Sequence, residues 1–325
     1  MFPIRDTNAS RNYPVVNMAI IGINVLIYIY QRSLGPEMDR FVYIYGLVPA
    51  RYSIPHVASY FTSFQQVFAL LSFMFLHGGF FHLLGNMWSL YIFGDNVEDR
   101  LGPFRYLIFY LLCGLASGLS HLLLNAHSNI PTIGASGAIS GVMGAYLLLY
   151  PRSKILALIP IIFIPWFVEI PAYFFIGFWF FLQVINAAGS QAGAGGIAWW
   201  AHIGGFISGM VLLKLALKVP SSGASKLMSK ATAKKKSHRL QVIRPVASGS
   251  KADLFGTITL TPFESYIGTR KLVNIPWGFS KRIINVSVPP GISEGKLLKL
   301  KGLGRTMADG SRGDLYLKIQ IKGQP

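Results

Sequence analysis

Residues 52–94 and again residues 106–151 contain no Asp, Glu, Lys or Arg. A helix needs about 20 mainly apolar residues to cross the hydrocarbon core of a bilayer, so each run has room for two crossings. A third charge-free run covers residues 12–31, and Glu169 is the only charge between residues 155 and 213. Charged residues form 13% of the chain, about half the share usual in a soluble domain, which argues against an ordinary soluble enzyme. The pattern predicts an α-helical polytopic membrane protein with six transmembrane helices, near 14–31, 72–94, 104–126, 134–150, 167–187 and 195–217. Pro160, Pro165 and Pro171 interrupt the approach to the fifth.

The net charge of +18 is placed unevenly. Residues 1–213 hold 9 Lys and Arg against 7 Asp and Glu, and residues 214–325 hold 21 against 5. Arg100, Arg105, Arg152, Lys154 and the Lys-rich stretch after the sixth span all belong on the inner face, which puts both termini in the cytoplasm. Arg32, Arg40 and Arg51 in the first outer loop run against that rule, partly offset by Glu37 and Asp39. The first span is too long for a signal core and lacks a small-residue cleavage pattern, so it is expected to be retained. The single cysteine, Cys113, excludes an internal disulfide and any multi-cysteine metal site.

Polar side chains inside hydrocarbon are costly and point to function. Gly134-Ala135-Ser136-Gly137 opens the fourth span. Gly137 and Gly141 read first as a helix-packing pair; the functional alternative is a serine nucleophile at a helix N-terminus, where free N–H groups stabilise an oxyanion. His202, in Ala201-His202-Ile203-Gly204-Gly205-Phe206-Ile207-Ser208-Gly209, lies within the first turns of a span of the same direction. It either bonds a neighbouring helix or takes the proton of Ser136. His82 and Asn86 share one helical face; asparagine is a poor zinc ligand, so two donors for a developing negative charge fit better than a metal site. Glu98 and Arg100, at the inner end of the second span, read as a solvated or snorkelling ion pair.

In that order and in those spans, Gly134 to Gly137, Ala201 to Gly209, His82 to Asn86 and Glu98 to Arg100 resemble the motifs of the rhomboid family of intramembrane serine proteases. The resemblance covers residues 1–218. It implies a Ser136/His202 dyad, an oxyanion hole from His82 and Asn86, structural roles for Glu98, Arg100, Gly134, Gly137, Gly205 and Gly209, no cofactor or metal, and transmembrane helices as substrates. The implied place is the inner membrane of a bacterium. Several bacterial members carry Trp-Arg in the first outer loop where this chain has Phe68 and Ala69. The non-enzymatic alternative is a silent relative that binds or triages membrane proteins.

Residues 219–250 turn to Ser, Ala, Gly and Lys and predict a flexible basic linker against anionic lipid headgroups rather than nucleic acid. Residues 251–325 alternate with period two, at Ile284, Val286 and Val288 and at Leu315, Leu317, Ile319 and Ile321. Turn signals at Pro289-Pro290-Gly291 and Asp309-Gly310-Ser311 complete the pattern of a small antiparallel all-β sandwich. Thr259 to Glu264, Val288 to Ile292, Leu300 to Gly304 and Gly313 to Tyr316 resemble the C-terminal client-binding domain of the DnaJ co-chaperones. That resemblance implies capture of unfolded client segments; the His-Pro-Asp of a J domain is absent.

Overall fold

A computed structural model describes residues 2–322 except 9, 162–163, 190–197, 221–222, 234–239, 244, 248–251, 278–279 and 308–309. It divides into two compact units, Met1–Lys234 and Lys235–Pro325. The basic run at 234–239 and Asp309 of the second turn signal lie outside the described residues.

In the first unit, α1 (Val15–Ser33) is followed by four short helices, α2 (Met38–Tyr45), α3 (Ala50–Ser53), α4 (Pro55–Ala58) and α5 (Ser63–Ser72). Then come α6 (Phe80–Leu101), α7 (Pro103–Leu124), α8 (Ser136–Leu149), α9 (Ala172–Gly189), α10 (Trp199–Lys218) and α11 (Gly223–Ala231). Gly102, at φ 79°, stops α6, and Pro103 starts α7 at once, since proline's missing N–H costs nothing at a first helical position.

Each of the six expected spans meets a helix, though length and composition alone do not bear out six full crossings. Among the described residues four helices, α1, α7, α9 and α10, are long and apolar enough to cross alone; α6 qualifies only with α5, across a 76° bend. With 14 residues, α8 is about 21 Å long, well short of the roughly 30 Å of hydrocarbon. The fifth span starts five residues later than expected. Residues 154–161 and 164–171 instead form two antiparallel paired strands, β2 (Lys154–Ile161) and β3 (Ile164–Pro171), and β1 (Phe2–Asp6) pairs antiparallel with β2. Prolines exclude a helix there, while the Ile- and Val-rich residues between them suit strands.

Three helices meet through glycine. A methyl group on Gly205 or Gly209 of α10 would fall on the carbonyls of Gly137 or Gly141 of α8. One on Gly141 would lie 2.5 Å from Cys113 Sγ of α7. Backbones this close gain dispersion contacts that lipid cannot replace, which is how helices associate without a hydrophobic driving force. Cys113, Tyr110, Val142 and Tyr146 are fully buried around this junction.

Residues 219–250, expected as a linker, contain α11 and two strands, β4 (Leu240–Val242) and β5 (Val246–Ala247). The second unit adds β6 (Leu254–Leu260), α12 (Pro262–Ile267), β7 (Thr269–Trp277), β8 (Ser280–Val288), β9 (Leu297–Leu300) and β10 (Leu315–Ile321). One sheet runs β5-β6-β10-β9 and the other β4-β7-β8. They share one core, with Ile258, Leu317 and Ile319 from the first sheet and Val273, Ile275 and Val286 from the second. The alternation read from the sequence holds, but the sandwich is not wholly antiparallel: β6 pairs parallel with β10, and β4 with β7. Periodicity reports which face a residue occupies and is blind to strand direction. The Thr261-Pro262-Phe263-Glu264 motif is a capping box, with Thr261 and Glu264 each accepting the other's backbone N–H.

Candidate active site

Ser136 is the first residue of α8, placed there by Gly134, whose φ of 127° turns the chain sharply into the helix. The Gly134 N–H donates to the Phe73 carbonyl at 2.9 Å, tying this turn to the segment before α6. His202, one turn into α10, is buried at 9% exposure. Its Nε2 lies 2.8 Å from Ser136 Oγ. The glycine contact between α8 and α10 sets that distance, because any larger side chain at Gly205 would separate the helices that carry the pair.

A cavity of about 680 Å³ opens beside them, lined among others by Phe81, His82, Asn86, Ser136, Trp179 and His202. His82 and Asn86 aim at the same turn: a methyl on Gly134 would stand 2.8 Å from His82 Nε2 and 3.7 Å from Asn86 Nδ2. The Gly78 N–H donates to His82 Nδ1 at 3.3 Å, so Nε2 carries the ring proton and is a donor on the cavity side. Asn86 Nδ2 is buried without a protein partner among the described residues, a cost of about 1–3 kcal/mol that an incoming acceptor would relieve. Two side-chain donors, with the free N–H groups of the α8 first turn, can receive an oxyanion.

The expectation of a solvated ion pair at Glu98 and Arg100 is overturned. Glu98 is 4% exposed, and its carboxylate accepts the N–H groups of Val16 and Asn17 at 3.1 and 2.7 Å. Negative charge at a helix N-terminus meets donors that have no intrahelical partner. Asp99 accepts the backbone N–H groups of Arg11 and Asn12 just before α1. Arg100 is exposed and forms no ion pair with Glu98 among the described residues.

Two functional positions escaped the sequence reading. Arg51 is not a free outer charge: at 1% exposure its guanidinium lies 3.6 Å over the Phe61 ring and donates to the carbonyls of Tyr43 and Gln65. It anchors the first loop, where Ala69 is buried and Phe68 stacks on Phe64. Gln183 of α9, at 5% exposure, lies 2.8 Å from His202 Nδ1 through its Oε1. A glutamine in a mostly apolar span was the available signal. Among the described residues no group of three or more His, Cys, Asp or Glu is placed to hold a metal.

The family model for the Rhomboid domain matches residues 65–219, and that for the DnaJ C terminal domain matches residues 223–325. RHOMBOID-like protein 6, mitochondrial, of Arabidopsis thaliana is 32% identical over 169 residues, 49% of this chain and 47% of its own length. Rhomboid protease GluP of Bacillus subtilis is 32% identical over 162 residues, 48% of this chain and 27% of its own. Inactive RHOMBOID-like protein 8 of Arabidopsis thaliana is 35% identical over 86 residues, 26% of this chain and 24% of its own. The chain thus spans about half the length of the first relative and about a quarter of the other two. With helices among the described residues long and apolar enough to cross a bilayer, the chain carries a Rhomboid domain at residues 65–219, followed by a DnaJ C terminal domain at residues 223–325.

Proposed function

We propose that the rhomboid domain is an intramembrane serine endopeptidase that cuts transmembrane helices near the outer face. The observation that carries this reading is the 2.8 Å contact between Ser136 Oγ and His202 Nε2 at the wall of a cavity that His82 and Asn86 also line. Ser136 Oγ attacks the scissile carbonyl carbon while its proton passes to His202 Nε2. His82 Nε2–H, Asn86 Nδ2–H and the Ser136 backbone N–H receive the oxyanion. The imidazolium returns its proton to the leaving amine, and a water activated by the same nitrogen then hydrolyses the acyl-enzyme. Backbone hydrogen bonds of the substrate helix must open before its peptide bond reaches Ser136, which favours small or helix-breaking residues at the cut.

The inner-face charges at Arg100, Arg105, Arg152 and Lys154 favour cytoplasmic termini, as in the inner membrane of a bacterium. The β unit then meets cytoplasmic client segments, and the 234–239 run meets anionic headgroups. Protein reconstituted in liposomes with a transmembrane reporter tests the proposal. Cleavage, and labelling of Ser136 by a fluorophosphonate, are expected of the parent and lost in Ser136→Ala and His202→Ala. Cleavage that persists in both variants would sink the dyad, and a parent that neither cleaves nor labels would favour a silent, binding relative.

A further inference from the structure

An imidazole can act as base toward Ser136 only in the tautomer whose Nε2 lacks a proton, and something must hold the proton on Nδ1. The hydrogen bonds around His202 form a chain with one direction. The backbone carbonyl of Trp179 can only accept, and Gln183 Nε2 donates to it at 3.2 Å. That fixes the amide, so Oε1 faces His202 Nδ1 at 2.8 Å. An amide oxygen can only accept, so Nδ1 carries the proton and Nε2 is left bare, 2.8 Å from Ser136 Oγ. The arrangement cannot flip: a turned amide would oppose two oxygens at Trp179 and leave the ring without an acceptor.

The same helix face also sets the ring plane. Trp179 and Gln183 stand one turn apart on α9, and the Trp179 ring centre lies 6.1 Å from that of His202. On the opposite approach Trp199 meets the imidazole edge-on at 6.1 Å. Most of α9 shows exposed apolar side chains such as Phe174, Phe178, Phe181 and Ile185. Gln183 is an exception that turns inward. Burying an amide in an apolar helix costs free energy unless both its ends are bonded, and here both are.

We propose that Gln183 is the positioning residue of this site, holding His202 in the Nδ1–H tautomer so that Nε2 can take the Ser136 proton. The proposal rests on the serine-protease reading above but is separable from it. Full-length protein labelled with 15N-histidine gives the tautomer directly, the His202 signals being assigned by their loss in His202→Ala. Parent protein and Gln183→Glu, which keeps an acceptor, are expected to show Nδ1 protonated; Gln183→Leu is expected to show a mixture. In parallel, fluorophosphonate labelling of Ser136 and reporter kcat should fall about tenfold or more in Gln183→Leu with KM unchanged, general-base assistance being worth about 10²–10⁴. Gln183→Glu should stay within a few-fold of the parent. Unchanged 15N signals and labelling in Gln183→Leu overturn the proposal, as does equal loss in Gln183→Glu with its melting temperature intact. Should the parent not label at all, the protease reading fails, and the 15N spectrum alone decides the role of Gln183.

Discussion

Glu98→Ala isolates what a buried carboxylate does at the start of a transmembrane helix. In the native protein its two oxygens accept the Val16 and Asn17 N–H groups at 3.1 and 2.7 Å, and both donors belong to a turn that offers them no other acceptor. Each buried donor left unpaired costs about 1–3 kcal/mol, so removal of both costs about 2–6 kcal/mol. Glu98→Gln keeps the shape and one acceptor but turns an amide N–H toward the second donor, which costs about half as much. Arg100→Ala, on an exposed neighbour, should stay within about 0.5 kcal/mol. The chain supplies its own probe: Cys113 is the single cysteine and is fully buried beside Gly141, so a thiol-reactive fluorogenic dye reports unfolding of the helical unit alone. At about 2–4 °C per kcal/mol, the Ala variant should melt at least 4 °C below the parent, with the Gln variant between them. An Ala variant within 1 °C of the parent, or an Arg100→Ala variant that falls as far, would refute the capping argument.

Gly209→Leu should drive α10 away from the Gly141 carbonyl, and a displacement of about 1 Å at Ser136 and His202 costs about 10²-fold in kcat; Leu at Gly22 of α1, which has free space around it and does not line the cavity, is the control, and equal rates in the two would dismiss the contact. In the β unit the Glu264 carboxylate lies 2.8 Å from the Lys271 ammonium, which is itself 3% exposed. Glu264→Gln strands that buried charge and should cost about 3 kcal/mol, measured by denaturant-dependent amide exchange. Burial alone would raise the Glu264 carboxyl, but bonds from Lys271 and Thr261 outweigh it and hold it below its ordinary 4.5. Its contribution is therefore complete above pH 4.5 and lost as pH falls through the lower folded value, a dependence that Glu264→Gln should flatten. Removal of residues 235–325 should leave cleavage of a simple reporter unchanged but alter the clients recovered by pull-down; an unchanged client set would remove the proposed role of the β unit.

What the sequence made legible follows from how each feature is encoded. Charge-free runs are a property of composition, so five of the six helices were readable to within five residues, whereas the second, expected at 72–94, runs Phe80–Leu101, and residues 154–161 and 164–171 form paired strands. Two strands there are as apolar as a helix, and only Pro160, Pro165 and Pro171 separate the readings. Ser136 and His202 were pairable because both stand near the starts of spans with the same direction. For Glu98 only the ion-pair reading failed, because a carboxylate's environment depends on which backbone donors arrive from residues about 80 positions away. Arg51 failed for the same reason: its anchors at Tyr43, Phe61 and Gln65 are set by how the short helices fold on each other. The direction of β6 against β10 was equally hidden, since alternation is identical in parallel and antiparallel strands.

The short α8 joins these levels. At about 21 Å it cannot reach both faces of a hydrocarbon core of about 30 Å, so one of its ends must lie inside the bilayer. Tyr150 and Arg152, with the paired strands β2 and β3, follow its C-terminus, and Lys154 pairs with Glu169 there at 3.0 Å, which requires water or headgroups. The submerged end is then Ser136, roughly 9 Å below the opposite surface. A helix N-terminus at that depth exposes unpaired N–H groups that lipid cannot satisfy, and the cavity lined by His82, Asn86 and Ser136 is the polar space that makes the position tolerable. Inserting one turn of helix-forming residues between Ser136 and Gly137, which leaves the Gly137 and Gly141 contacts with α10 in place, would lift Ser136 about 5 Å out of register with His202. Fluorophosphonate labelling should then vanish while the Cys113 dye still reports a cooperative melt; retained labelling would show that the depth of Ser136 is not set by the length of its helix.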